Sequence, residues 1–135
     1  ESRTPMREDT LFRLASVTKP IVSTAAMVLV AQHKLSLDDD VTRWLPNFRP
    51  PLPDGDVPAI TVRQLLTHTA GLGYRFAEAD VDGPYARAGV SDGLDGAAVT
   101  LGENVCRIAS APLLYAPGTN WNYSVALDVT GALIE

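Results

Sequence analysis

The run from Val17 to about His33 constrains the fold more than any other part of the chain. Ile21, Val22, Ala25, Ala26, Met27, Val28, Leu29, Val30 and Ala31 are broken only by Ser23 and Thr24. At helical spacing these residues cover almost every side of the rod rather than one stripe. A helix of that kind is expected at the centre of a fold, with other elements packed around it. The run is too short and too interrupted to span a bilayer. Pro20 falls in its first turn, where a missing N–H costs little. His33 and Lys34 place cations at its C-terminal end, where the helix dipole favours them.

The remaining elements are predicted from local signals. Residues 1–10 are polar and read as a loop, and Phe12 and Leu14 flank Arg13 in a short extended lead-in to Ser16. Ser36-Leu37-Asp38-Asp39 reads as a cap for a short helix reaching Leu45. Five prolines and Gly55 between Pro46 and Pro58 require a surface loop. Thr61-Val62-Arg63-Gln64 forms a capping box for a helix to about Thr67, ended by Gly71 and Gly73. From Tyr74 to Val99 the periodicity is weak, predicting long loops with one helical turn. Thr100-Leu101-Gly102-Glu103 is a further capping box, opening a helix to about Ser110 that Pro112 closes. A last helix begins near Ser124.

Bulk properties exclude several function classes. The net charge of −5 argues against nucleic-acid binding, which runs on clustered Lys and Arg. The acidic run Asp38-Asp39-Asp40 reads as a solvated helix start. The single cysteine, Cys106, permits no internal disulfide and is expected as buried filler. No cluster of His, Cys and carboxylates has ligand spacing, so neither metal nor cofactor is implied. With 135 residues, nearly half of them apolar, the chain matches one ordinary domain. It starts without Met and stops inside an apolar pattern, which suggests a fragment; no membrane segment is expected in it, and the compartment is left open.

The chemistry-bearing signal is Ser16-Val17-Thr18-Lys19. Residues at i and i+3 share a helix face, which brings an amine near a hydroxyl. A serine hydroxyl is a weak nucleophile until a neighbour takes its proton. A lysine does so only when its pKa falls, as burial and the positive end of a helix dipole both favour. That helix end also offers the Ser16 backbone N–H to a developing oxyanion. Four residues alone equally describe a serine N-cap followed by a solvated lysine.

The wider segments narrow the choice. Leu11 to Pro20 resembles the nucleophile helix of the serine β-lactamase and penicillin-recognising family. Leu65-Leu66-Thr67-His68-Thr69-Ala70-Gly71-Leu72 resembles a segment typical of its class C and esterase branches. Tyr115-x-Pro117-Gly118-x-x-Trp121-x-Tyr123-Ser124 resembles the loop bearing its catalytic tyrosine. The resemblance implies a mainly α piece of an α/β serine-hydrolase fold. Residues 1–35 would supply the nucleophile segment and central helix, 36–122 a helical lobe, and 123–135 the start of the tyrosine helix. Most of the antiparallel sheet would lie outside the chain. It further implies Ser16 as the acylated nucleophile, with Lys19 and Tyr123 sharing its proton; which of the two is the formal base stays open. A phenol beside an ammonium has its pKa lowered, so the pair titrates together. Trp121 and Val125 are the substrate-side candidates, Trp121 at the edge of the cleft. His68 invites a triad reading, but the resemblance gives it a structural role. Ser91-Asp92-Gly93 faintly resembles the Ser-Asp-Asn element of class A enzymes but lacks its Asn, and reads as a chance match.

Class C β-lactamases carry Tyr-x-Asn, whereas this chain reads Tyr123-Ser124-Val125. The Tyr-Ser-x form resembles the family VIII carboxylesterases and related transesterases. The expected function is therefore a carboxylesterase for short-chain esters. A class C-like β-lactamase or D-Ala-D-Ala carboxypeptidase is the alternative, and a penicillin-binding homologue without turnover a further one. The expected partner is a small-molecule ester or β-lactam. The family's third element, a strand motif bearing the second oxyanion donor, is expected beyond residue 135.

Overall fold

The computed structural model describes residues 5–135. The reading of residues 1–4 as loop lies outside that range; residues 5–10 are irregular, with one turn. A 3₁₀ turn at Ala15–Val17 leads directly into helix α1, Thr18–Ala31. A second 3₁₀ turn, Val41–Arg43, precedes α2 at Val62–Leu66. Arg75–Ala77 is a third, followed by α3 at Pro84–Arg87, α4 at Leu101–Ser110 and α5 at Ala126–Ile134. The described residues contain no strand; one antiparallel bridge joins Asp40 to Thr61. The chain is thus the mainly helical part of its fold.

Local chemistry accounts for most boundaries. Thr61 and Gln64 exchange side-chain and backbone hydrogen bonds at the start of α2, and Thr100 and Glu103 do the same for α4. Each pair satisfies N–H groups that a helix start leaves without partners. α1 ends in a Schellman turn. Lys34 N–H donates to Leu29 and His33 N–H to Val30, with His33 at φ 55°. The expected helix from Ser36 does not form. Ser36 N–H donates to Asp39, Asp38 N–H donates to the Ser36 hydroxyl, and the polar side chains close a turn instead. Asp40, not Ser36, caps the short turn that follows, accepting from Thr42 N–H at 2.8 Å.

The core gathers α2, α4 and α5 with the loops between them. Val62, Leu65, Tyr85, Ile108, Leu113, Val125 and Val129 are fully buried there. α1 packs on α5 and buries Ala26, with Val22, Leu29 and Val30 partly covered. Val17, Ile21, Met27 and Val28 remain 45–60% exposed, so the described residues cover the apolar run only in part. Among the described helices α1 packs chiefly on α5, while Lys19 at its start meets Tyr74 and Tyr123. Cys106, expected as buried filler, is exposed on α4. The core of that helix falls instead on Asn104, Val105 and Ile108. No helix among the described residues is long and apolar enough to cross a membrane.

Candidate active site

The turn before α1 presents Ser16. Neither its side chain nor that of Val17 caps the helix, so the hydroxyl is not spent on the backbone. Ser16 is exposed, and Ala15 before it is held at φ 45°, a left-handed conformation costly for a residue with a Cβ. One turn along, Lys19 is half-buried against a small cluster of aromatic rings. Ser16 and Lys19 line one cleft of about 220 Å³ with Tyr74, Phe76, Asp92, Leu94, Tyr123 and Asp128.

Tyr123 reaches this cleft because its loop is tied to the segment after α2. His68 sits at φ 58°, and its Nδ1 accepts from the backbone N–H of Ser124 at 3.2 Å. The Ser124 hydroxyl lies 3.2 Å from the same nitrogen and accepts from Ala126 N–H, leaving its proton for the imidazole. With donors aimed at Nδ1, the ring is neutral with its proton on Nε2. Asn122 N–H donates to His68 O, Asn122 Nδ2 to Leu72 O, and Val125 N–H to Gly73 O. Gly71 makes the close approach possible: at φ 85°, a Cβ there would lie 2.3 Å from the Tyr115 carbonyl oxygen. The His68 ring also lies against Tyr123, 4.8 Å between centroids. His68 thus holds the tyrosine loop and is no member of a serine–histidine relay.

The electrostatics centre on Lys19. Its Nζ donates to the Tyr74 phenol oxygen at 2.6 Å and lies 4.8 Å from the centre of the Tyr123 ring. Burial disfavours the ammonium, but hydrogen bonding and charge attraction from both phenols outweigh it, and the Lys19 pKa is raised. The neighbours of Lys19 thus favour its charged form, so burial alone does not push it toward neutrality. The Tyr123 phenol moves the opposite way, lowered first by the Ser16 hydroxyl and then, against some burial, by Lys19. The contacts of Ser16 and Lys19 with Tyr123 are looser than the Lys19–Tyr74 bond, as is common before substrate tightens a site.

Ser16, Lys19 and Tyr123 are brought together, and the other two candidates are not. Val125 is completely buried in the core as the residue before α5, its N–H spent on Gly73 O, so it touches no substrate; this corrects its assignment. Trp121 is exposed but does not line the cleft; its ring meets His68 edge-on at 6.3 Å. Ser91 is buried and donates to Asp95, outside the cleft. Its neighbour Asp92 does line it, accepting from the N–H groups of Arg75 and Phe76 at 3.0 and 2.9 Å. Tyr74 and Asp128 were not legible as site residues, and Asp92 stood in the Ser91-Asp92-Gly93 stretch that reads as a chance match yet lines the cleft. For Tyr74 the hint was the aromatic pair Tyr74 and Phe76 just after Gly71-Leu72-Gly73, in a stretch that otherwise reads as loop.

Known proteins share this arrangement of chain. Esterase EstB of Burkholderia gladioli is 58% identical over 135 residues, all of this chain and 34% of that protein. The solved structure of EstCE1, described as a hydrolase with promiscuous acyltransferase activity, superposes with a TM-score of 0.91 at 49% identity. It matches over 97% of this chain and 34% of that one. A D-stereospecific amidohydrolase from a Streptomyces species matches at 32% identity and a TM-score of 0.66, over 92% of this chain and 36% of its own. The chain thus spans about a third of the length of these relatives. A family model described as beta-lactamase matches residues 1–135, and the chain belongs to that family of serine hydrolase-like proteins.

Proposed function

We propose that this chain carries the nucleophile machinery of a serine carboxylesterase acting on small esters through an acyl-enzyme on Ser16. The observation that carries the reading is the shared cleft of Ser16, Lys19 and Tyr123, with the Tyr123 pKa lowered and the Lys19 charge retained. The Ser16 Oγ attacks the ester carbonyl as its proton passes to Tyr123, which the adjacent ammonium stabilises as phenolate. The Ser16 backbone N–H, at the positive end of α1, serves the developing oxyanion. The alkoxide then departs with a proton from Tyr123, and water releases the acyl group by the reverse sequence.

Ester is favoured over amide by what the cleft lacks. None of the described residues lining it carries a carboxamide that could grip a substrate amide, and the position after Ser124 is a buried valine. Phe76, Leu94, Val22 and Leu127 give the cleft apolar walls suited to a short acyl chain. Two esterase relatives, EstB and the lovastatin esterase of Penicillium rubens, support the same reading.

The test is a chromogenic short-chain ester, a chromogenic cephalosporin and a fluorescent penicillin, each offered to the full-length protein and to its Ser16→Ala variant. Ester turnover should dominate and fall at least ~10³-fold in the variant. Cephalosporin turnover exceeding ester turnover, or a stable penicillin adduct without turnover, would overturn the proposal.

A further inference from the structure

Lys19 lies between two phenols that differ in burial and in their other neighbours. Tyr74 is 7% exposed, its ring stacked on Phe76 at 4.6 Å and 25°. Tyr123 is 37% exposed and faces Ser16. The rings stand 5.5 Å apart. Their spacing is fixed by the backbone, because Gly73, next to Tyr74, accepts from Val125 N–H, and Leu72 accepts from Asn122, next to Tyr123. Resting on the reading of the site as an esterase, we infer that Tyr74 is a positioning residue. Its phenol oxygen anchors the Lys19 ammonium beside Tyr123, so that Tyr123 alone of the two phenols gives up its proton to the reaction cycle.

A lysine side chain is a long, flexible stem with a point charge at its end, and a single short hydrogen bond decides where that charge rests. Anchored on Tyr74, the charge lies 4.8 Å from the Tyr123 ring. The other groups around the pair reinforce the division. From α5, Asp128 opposes ionisation of Tyr74, and burial does so more strongly. From the loop after α3, Asp92 adds a second carboxylate to the cleft wall. From the segment after α2, neutral His68 lies against Tyr123, and Ser16 reaches it from the turn before α1. During acylation the Ser16 proton moves to the Tyr123 oxygen as the Oγ–carbon bond forms. Lys19 and Tyr74 both keep their protons throughout.

Tyr74→Phe keeps the ring and removes the acceptor. In the full-length protein, with a nitrophenyl ester as substrate, kcat should fall about 10-fold or more, the scale of one lost charge-assisted hydrogen bond. KM should change less than about 2-fold. The acid limb of the kcat/KM–pH profile should move to higher pH, because a wandering ammonium stabilises the Tyr123 phenolate less. An unmoved limb overturns the inference, and so does a limb moved to lower pH, since neutral Lys19 would then be the base. A wild type without ester turnover removes the esterase reading and this inference with it; an active wild type with an unmoved variant limb removes the inference alone. Should Tyr74→Phe not fold, ultraviolet titration of tyrosinate in wild type and Tyr123→Phe decides. Loss of the earliest-ionising phenol in Tyr123→Phe supports the inference, and its retention overturns it.

Discussion

His68 shows how one side chain fastens a site without joining its chemistry. Its Nδ1 accepts from the Ser124 N–H, and that bond exists only while the ring is neutral. Burial, and then the charge of Lys19, lowers the His68 pKa from its ordinary 6.5. The folded protein therefore binds fewer protons at this ring than the unfolded chain does. The stability this contributes is fully present above the unfolded value and is lost as pH falls through it toward the depressed folded value. The melting temperature should drop below about pH 6.5. It should drop less steeply in His68→Asn, because asparagine tolerates the left-handed backbone and offers an oxygen but does not titrate. Equal slopes in the two proteins, followed by circular dichroism, would remove His68 as the acid-sensitive group. At this scale Ser16, Lys19 and Tyr123 were legible through the longer segments around them, which resemble family motifs, and not through the four-residue spacing itself. Tyr74 was not, because its importance depends on Lys19, which is 55 positions away in sequence. Val125 misled for the complementary reason: Tyr123, Leu127 and Asp128, two and three positions away, line the site, but its own side chain is buried in the core.

Among the elements, α2 shows how a short helix leans on its cap. It has five residues, too few for helix propensity to sustain, so the reciprocal Thr61–Gln64 bonds hold its first turn. Thr61 also pairs with Asp40 in the one antiparallel bridge, and α2 leads directly to His68. Thr61→Ala should cost about 1 kcal/mol in chemical denaturation. An unchanged denaturation midpoint would show that packing of Val62 and Leu65 holds the turn unaided. Both capping boxes were legible because each is a closed local circuit: a hydroxyl and a carboxamide or carboxylate three residues apart satisfy each other's backbone. Ser36 carries the same residue types and Asp39 accepts its N–H in the same way, yet the Ser36 hydroxyl accepts from Asp38 N–H and the Asp39 N–H goes to the Ser36 carbonyl, which closes a turn. The difference lies in what the chain packs against next, and local pattern does not contain that.

For the molecule as a whole, the apolar side of α1 is the dominant open question of packing. Val17, Ile21 and Val28 recur at i, i+4 and i+11, which places them along one face, and each is about half exposed or more. Burying such side chains is worth roughly 1.5–3 kcal/mol apiece. A contiguous apolar strip of this kind seeks a cover in water. The net charge of −5 is modest and does little to keep two copies apart when the strip itself attracts them. Expressed as these 135 residues alone, the chain should therefore self-associate and bind a hydrophobic dye, with an apparent mass by light scattering above the 14.4 kDa of one copy. Ile21→Lys combined with Val28→Glu should shift the population toward single copies, because a charge on the strip must be dehydrated for two copies to meet. The residues' preference for burial on every side is met only in part by the described helices, of which α5 is the chief cover of α1. A chain that remains a single copy, with no dye binding before the substitutions, would mean that the strip is already folded away and that α1 is held differently from the arrangement described.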